Sequence, residues 1–197
     1  MGKALNEGLK CCKNEAVARM DSDDIACKDR CEKQLRVLEE GIDIVSGTVV
    51  EFEKDILHCK AKRTLPLSKE EILKFAGRRN PFNHPCVMYR KEAVEKAGGY
   101  QHFYLFEDYY LWARMLLLGV EARNLPDTLL YMRAGTGMYK RRGGWKYVKS
   151  MLHFRLFLWK SGLSSFWDFV VCAGGQMMIC LIPNRLRELF YKKFLRK

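Results

Sequence analysis

The chain has 197 residues, 48% of them hydrophobic and 29% charged, with fifteen glycines and five prolines. That is room for one domain with a small appendage, and it excludes a disordered tail, a collagen-like chain and a multi-span membrane protein. The formal net charge of +12 is unevenly placed: from Lys140 onward thirteen Lys and Arg face only Asp168 and Glu188, so residues 1–139 are nearly neutral. A basic end calls for an anionic partner.

In chain order, Leu5, Leu9 and Cys12 form the apolar stripe of a short opening helix, and Ala16 to Met20 reads as a strand. Asp21-Ser22-Asp23-Asp24 follows where the strand ends, and a helix is expected over 26–39, closed by Gly41. Cys27, Cys31, Leu35 and Leu38 share one face of it, which predicts buried thiols. Ile42 to Phe52 suggests two strands broken near Ser46-Gly47. Residues 53–66 form a charged connection, and Ser68-Lys69-Glu70-Glu71 is a capping-box start for a helix to Ala76. Arg78 to Pro85 is a loop, Cys86 to Tyr89 a strand, and Lys91 to Ala97 a helix stopped by Gly98-Gly99. Glu107 to Leu118 is apolar nearly all round, which marks a buried helix ended by Gly119. Leu129 to Met132 reads as a strand and Arg133 to Gly144 as a glycine-rich basic stretch. Helices follow, interrupted near Ser161-Gly162 and at Pro183. Strands alternating with helices make the class α/β with a helical tail.

Eight cysteines without a CxxC pair and without an apolar leader predict free thiols in a reducing, cytoplasmic compartment and no structural zinc. Phe169 to Ile182 carries no formal charge, but as a helix it measures roughly 21 Å against a hydrocarbon core of about 30 Å. The basic residues Arg185, Arg187, Lys192, Lys193, Arg196 and Lys197 alternate with Leu and Phe. They fit either a helix in the membrane interface, at about 1 kcal/mol per basic residue near an anionic leaflet, or a packed helix with a solvated face.

Two acidic clusters stand at element junctions. The carboxylates of Asp21, Asp23 and Asp24 sit past the carboxyl end of a strand, where α/β sheets bind ligands and where hard oxygen donors suit Mg²⁺ or Mn²⁺. The same residues also suit capping of the next helix. Glu107-Asp108 begins a buried helix, flanked by Phe106 and Tyr109, so either a cap or a general base is open there. His84 lies in a loop between Asn83 and Pro85, and Arg141-Arg142-Gly143-Gly144 could clamp a diphosphate.

In order, Gly2 to Leu9, Ala18-Arg19-Met20-Asp21-Ser22-Asp23-Asp24, Arg30, Gln34, Asn80-Pro81-Phe82-Asn83-His84-Pro85, Gly98-Gly99-Tyr100, Glu107 to Trp112 and Arg141 to Gly144 resemble the family-2 glycosyltransferases of GT-A (Rossmann-like) fold, in particular the bacterial exopolysaccharide and capsule enzymes of the amylovoran type. The resemblance covers about residues 2–150. It implies a partial GT-A domain over 1–150, lacking the family's N-terminal strands, followed by a helical basic tail over 151–197. It also implies inverting, metal-dependent transfer of a sugar from a nucleotide-sugar, of UDP type, to a hydroxyl of a lipid-linked or glycan acceptor. Asp23 would hold Mg²⁺ or Mn²⁺ on the donor diphosphate. Asp21, Asp24, Arg19 and Asn6 would lie on the donor side, Asp108 would be the base, and Glu107, His84, Trp112 and Arg141 would line the substrate. The expected place is cytoplasmic, peripheral at the inner face of the plasma membrane, with no nucleic-acid partner. A non-catalytic interaction module of the same fold is the competing reading.

Overall fold

The computed structural model describes residues 2–53, 55–57, 59–134 and 144–181. The basic segment 185–197 and Arg141 therefore lie outside the described residues. Helix α1 (Gly2–Cys11) buries Leu9 as its stripe predicts. Strand β1 (Ala16–Ala18) stops two residues earlier than expected, because Arg19 turns inward and its carbonyl is held by a side chain instead of a strand. After a two-residue β2 (Ile25–Ala26), helix α2 (Arg30–Glu39) begins later than its cysteine pattern implied, and Gly41 closes it in a left-handed conformation, φ 92°. Its inward face is Arg30, Gln34, Val37 and Leu38, while Cys31 and Leu35 are exposed and Cys27 precedes the helix. The buried-thiol expectation fails for a physical reason: the surface beneath α2 is made of strand-end carbonyls, which need donors and not methyl groups. All eight cysteines are free.

Ile44–Phe52 is one continuous strand, β3, not two. The Ser46-Gly47 signal marks a close approach: a Cβ at Gly47 would lie 2.5 Å from Leu129 Cδ1. The irregularity falls on the parallel partner β6 (Ala122–Arg133), whose register jumps from Gly47↔Leu125 to Thr48↔Thr128. That bulge accommodates Pro126 and Asp127, which is why only Leu129–Met132 looked like a strand. β4 (Cys59–Arg63) occupies the supposed connection and pairs with the far half of β3. Helix α3 (Lys69–Ala76) has the predicted capping box, with Ser68 Oγ accepting from Glu71 N and Glu71 Oε2 from Ser68 N. β5 (Met88–Arg90) leads to α4 (Lys91–Lys96), then to α5 (Glu107–Leu117), α6 (Trp145–Lys160) and α7 (Phe166–Leu181). The sheet order is β1-β5-β3-β6-β2.

Helix α5 is buried on two sides, as its composition predicts. Leu111, Trp112, Met115 and Leu116 pack toward the sheet with Phe82 and Tyr89; Tyr109 and Ala113 pack against Tyr147, Met151, Phe154 and Leu158 of α6. Full burial of side chains such as Phe154 and Leu158 stabilises by about 1.5–3 kcal/mol each, so α6 is held firmly against α5. Among the described residues no helix is long and apolar enough to cross a membrane.

Candidate active site

Arg19 is the first side chain of the site and is 7% exposed. Its Nη2 donates to Asp21 Oδ1 at 2.6 Å. Its own carbonyl accepts from Arg30 Nη2 at 2.8 Å, and the same Arg30 reaches Val87 O at 3.3 Å and gives its Nε to Gln34 Oε1 at 2.9 Å. Gln34 Nε2 in turn donates to Cys86 O at 2.8 Å. The two polar residues buried under α2 thus fix the end of β1 relative to the turn before β5. Arg19 Nε and Nη1 are buried with no partner among the described residues. Unsatisfied donors on a buried cation are costly and rare, and they point to an acceptor that binds there.

The remaining aspartates of the cluster differ in environment. Asp24 is buried, and its Oδ1 accepts from Arg133 N at 2.8 Å. Burial pushes its pKa up, opposed by that hydrogen bond and reinforced by Asp21 and Asp23. It anchors the end of β6. Asp23 is exposed; its carbonyl accepts from Arg133 Nε at 3.2 Å, and its carboxylate has no hydrogen-bond or ion-pair partner among the described residues. No three His, Cys, Asp or Glu side chains among the described residues gather as a complete metal cage. A free carboxylate on an exposed turn fits instead a hard cation shared with substrate phosphates, the usual arrangement for Mg²⁺.

The second component is the turn carrying His84. Asn83 is buried, takes Ser46 Oγ on its amide N–H at 3.2 Å and gives Nδ2 to Gly47 O at 2.8 Å, which seats the turn on β3. His84 occupies a single 3₁₀ turn (His84–Cys86), with Nε2 at 3.1 Å from Tyr100 Oη. Its ring packs on Trp112 and Tyr100. Burial holds the imidazole down at about 4, against the pull of Asp108; Arg19 lowers it further and Asp21 raises it. It is therefore neutral at pH 7, and it lies in the fields of both acidic clusters.

Asp108 is the third component, in the first turn of α5 next to the partly exposed Glu107. Phe106 takes the N-cap position without a side-chain cap, so neither acid caps the helix. Asn80 Nδ2 donates to Asp108 Oδ2 at 2.9 Å, and Asn80 Oδ1 accepts from Phe82 N. Leu105, just before the helix, has φ 62°, a conformation that costs a leucine on the order of 1–3 kcal/mol and steers the chain into α5.

The structure thus gathers Arg19, Asp21, His84 and Asp108. Two residues of the sequence reading face elsewhere. Trp112 is fully buried behind His84, among Phe82, Tyr89 and Tyr100, with its Nε1 unpartnered among the described residues. Asn6 spends both amide atoms on the Tyr100 backbone, 2.8 Å each way, and so positions that tyrosine. Sequence reasoning gave no role to Asn80 or Tyr100. Their signals were present in the Asn80-Pro81 start of the histidine turn and in the Gly98-Gly99 pair, whose left-handed residues place Tyr100.

A family model described as Glycosyl transferase family 2 matches residues 1–98. The amylovoran biosynthesis glycosyltransferase AmsE of Erwinia amylovora is 40% identical over 98% of this chain and 73% of its own length. An uncharacterized glycosyltransferase of Haemophilus influenzae is 42% identical over the whole chain and 74% of its length. The UDP-Gal:alpha-D-GlcNAc-diphosphoundecaprenol beta-1,3-galactosyltransferase of Escherichia coli is 36% identical over the whole chain and 72% of its length. In fold, the chain is similar to the mannosyltransferase PcManGT of Pyrobaculum calidifontis, solved with GDP-Man and Mn²⁺, with a TM-score of 0.53 and 13% identity over 100% of this chain and 67% of that one. S. aureus TarS gives 0.51 and 18% over 98% and 66%.

Proposed function

The chain belongs to glycosyl transferase family 2 and has the GT-A fold, and from that premise we propose that it moves a sugar from a nucleotide-sugar, of UDP type, to a hydroxyl of a lipid-linked or glycan acceptor in cell-surface polysaccharide synthesis, with inversion. The observation that carries the proposal is the convergence of Arg19–Asp21 and Asp108 on one neutral histidine. A donor diphosphate and a base are what two such clusters in one place can serve.

In this mechanism Asp108 accepts the proton of the acceptor hydroxyl as its oxygen bonds to the anomeric carbon. The bond from that carbon to the diphosphate breaks on the opposite face, and the nucleoside diphosphate leaves. Such a placed base contributes roughly 10²–10⁴-fold. Asn80 holds Oδ2 of Asp108 and so fixes which oxygen meets the hydroxyl. The unpartnered Nε and Nη1 of Arg19 supply hydrogen bonds where negative charge gathers on the leaving group. Asp23, with Asp21 alongside, would hold Mg²⁺ or Mn²⁺, which offsets the charge of the diphosphate. Neutral His84, fixed by Tyr100 and backed by Trp112, stands between the two acidic clusters without adding charge. Glu107 lies on the acceptor side. Trp145, Trp167 and Val171, exposed on α6 and α7, support peripheral attachment at the inner membrane face.

The test is calorimetric titration of UDP with Mn²⁺, followed by transfer assays with UDP-sugars and NMR of the product's anomeric configuration. Saturable binding that is lost in Asp23→Asn, and an inverted product, support the proposal. No UDP binding, or a retained configuration, overturns it.

A further inference from the structure

Away from the cluster around His84, the molecule has a concave feature of about 260 Å³. It lies between the loop that follows Tyr100 and one face of α6, and is lined by Phe103 together with His102, Tyr104, Lys146, Lys149, Ser150 and His153. No carboxylate lines it among the described residues. The volume is below the roughly 300–1,000 Å³ of pockets that enclose a drug-sized molecule, so it suits a small group and not a whole nucleotide. Its two walls are tied together: Ser150 Oγ donates to Tyr104 O at 2.8 Å, and Lys146 Nζ sits 4.3 Å from the centre of the Tyr104 ring.

The placement of charge is what needs explaining. Lys146 and Lys149 stand at the start of α6, where the helix field disfavours cations, and the first turn has no acid to offset them. Neither lysine forms an ion pair among the described residues. Two ammonium groups, two imidazoles and a hydroxyl on one small hollow make a ready anion receptor.

Its position along the chain connects it to the chemistry. The loop of the pocket begins at Tyr100, whose Oη meets His84, and ends at Phe106, which opens the helix of Asp108. Tyr104 is four residues from Asp108, so their backbones are at most about 14 Å apart, a span that a hexose and its diphosphate can bridge. Trp145, next in sequence to Lys146, is 76% exposed, and further along the helical pair Trp167 and Val171 are exposed on α7. The geometry points to a diphosphate subsite: the hollow between His102 and α6 holds the diphosphate of a lipid-linked acceptor, with the isoprenoid chain running over the apolar surface of α6 and α7. This rests on the sugar-transfer reading only for the identity of the carrier.

The test titrates inorganic pyrophosphate, without metal or nucleotide, into the chain labelled with ¹³C-histidine, following the ring signals of His102 and His153. Saturable movement of both signals is expected, unchanged in Asp108→Asn and weakened at least about tenfold in Lys146→Glu/Lys149→Glu. Static signals, or equal affinity in the charge-reversed variant, overturn the site. Lys146→Arg/Lys149→Arg keeps the charge and must keep the binding; equal loss in both variants also overturns it. A second arm uses phosphatidylcholine vesicles with and without farnesyl diphosphate. Tighter binding to the diphosphate vesicles than to free pyrophosphate supports the lipid carrier, equal affinity overturns that carrier in favour of a soluble diphosphate, and adhesion indifferent to both the diphosphate and the lysines overturns the proposal. Because neither donor nor metal is present, failure of sugar transfer leaves this result intact.

Discussion

Asn80 and Asp108, 28 residues apart, are joined by a 2.9 Å hydrogen bond from the amide Nδ2 to the carboxylate Oδ2. The bond couples the loop that carries His84 to the first turn of α5, so the carboxylate cannot rotate without breaking it. Asn80→Ala removes the clamp but not the base. We expect kcat to fall about tenfold while both KM values stay within about twofold, since orientation and not binding is lost. Steady-state kinetics with each substrate varied in turn checks the split.

Asp108→Asn removes the base itself. The amide keeps the volume and can still accept from Asn80 through its oxygen, so the fold should survive with a thermal midpoint within a few degrees. Transfer should fall by about 10²–10⁴-fold. Activity within threefold of the parent would take Asp108 out of the proposed role.

Arg19 separates stability from binding. Among the described residues two of its nitrogens are buried without partners, and its one ion-pair partner, Asp21, is more than a third exposed. Arg19→Met removes that unmet demand, and we expect stability to be unchanged or raised. The same substitution should weaken UDP–Mn²⁺ binding by at least about tenfold, because charge-assisted contacts to the diphosphate are lost. Paired urea denaturation and calorimetry read both effects, and loss of stability together with full binding would contradict this account.

Much of the frame was legible because its signals are local. The capping box at Ser68, the left-handed stop at Gly41 and the two-sided apolarity of α5 each follow from residues within one turn of the feature. What was missed depends on distant partners. Nothing near Gly47 announces Leu129, so a close approach read as a strand break. Nothing within α2 announces that carbonyls of Arg19, Val87 and Cys86 lie below it, so the stripe of Cys27, Cys31, Leu35 and Leu38 read as the buried face and Arg30 and Gln34 were given no part in the packing. In the site, the acids and His84 could be singled out by type, but the burial of Trp112 and the engagement of Asn6 with Tyr100 are set by tertiary packing.

That reversal on α2 gives a stability prediction. Arg30 is 2% exposed and serves two backbone carbonyls and Gln34. Arg30→Met fills the space but leaves Arg19 O and Gln34 Oε1 unmet, at about 1–3 kcal/mol each before relaxation, while Val87 O keeps the Arg19 N–H. A loss of about 3 kcal/mol or more in urea denaturation is expected. A loss below 1 kcal/mol would mean that water reaches the carbonyls.

His84 predicts how stability responds to acid. Its imidazole is lowered by burial from 6.5 to about 4 in the folded chain. Above about pH 6.5 it is neutral in both the folded and unfolded states and contributes no pH dependence. Between about 6.5 and 4 the unfolded chain takes up a proton that the folded chain refuses, so stability falls with pH across that window, by about 3 kcal/mol at most. Below about 4 both states are protonated and this loss is complete. His84→Gln has no such proton, so from pH 6.5 to 5 its stability should decline less than the parent's, by the share that His84 contributes. Urea denaturation of both proteins at half-unit intervals checks this. Parallel curves across the window would show that the ring is not held neutral, and His84 would then bring positive charge to the site in mild acid.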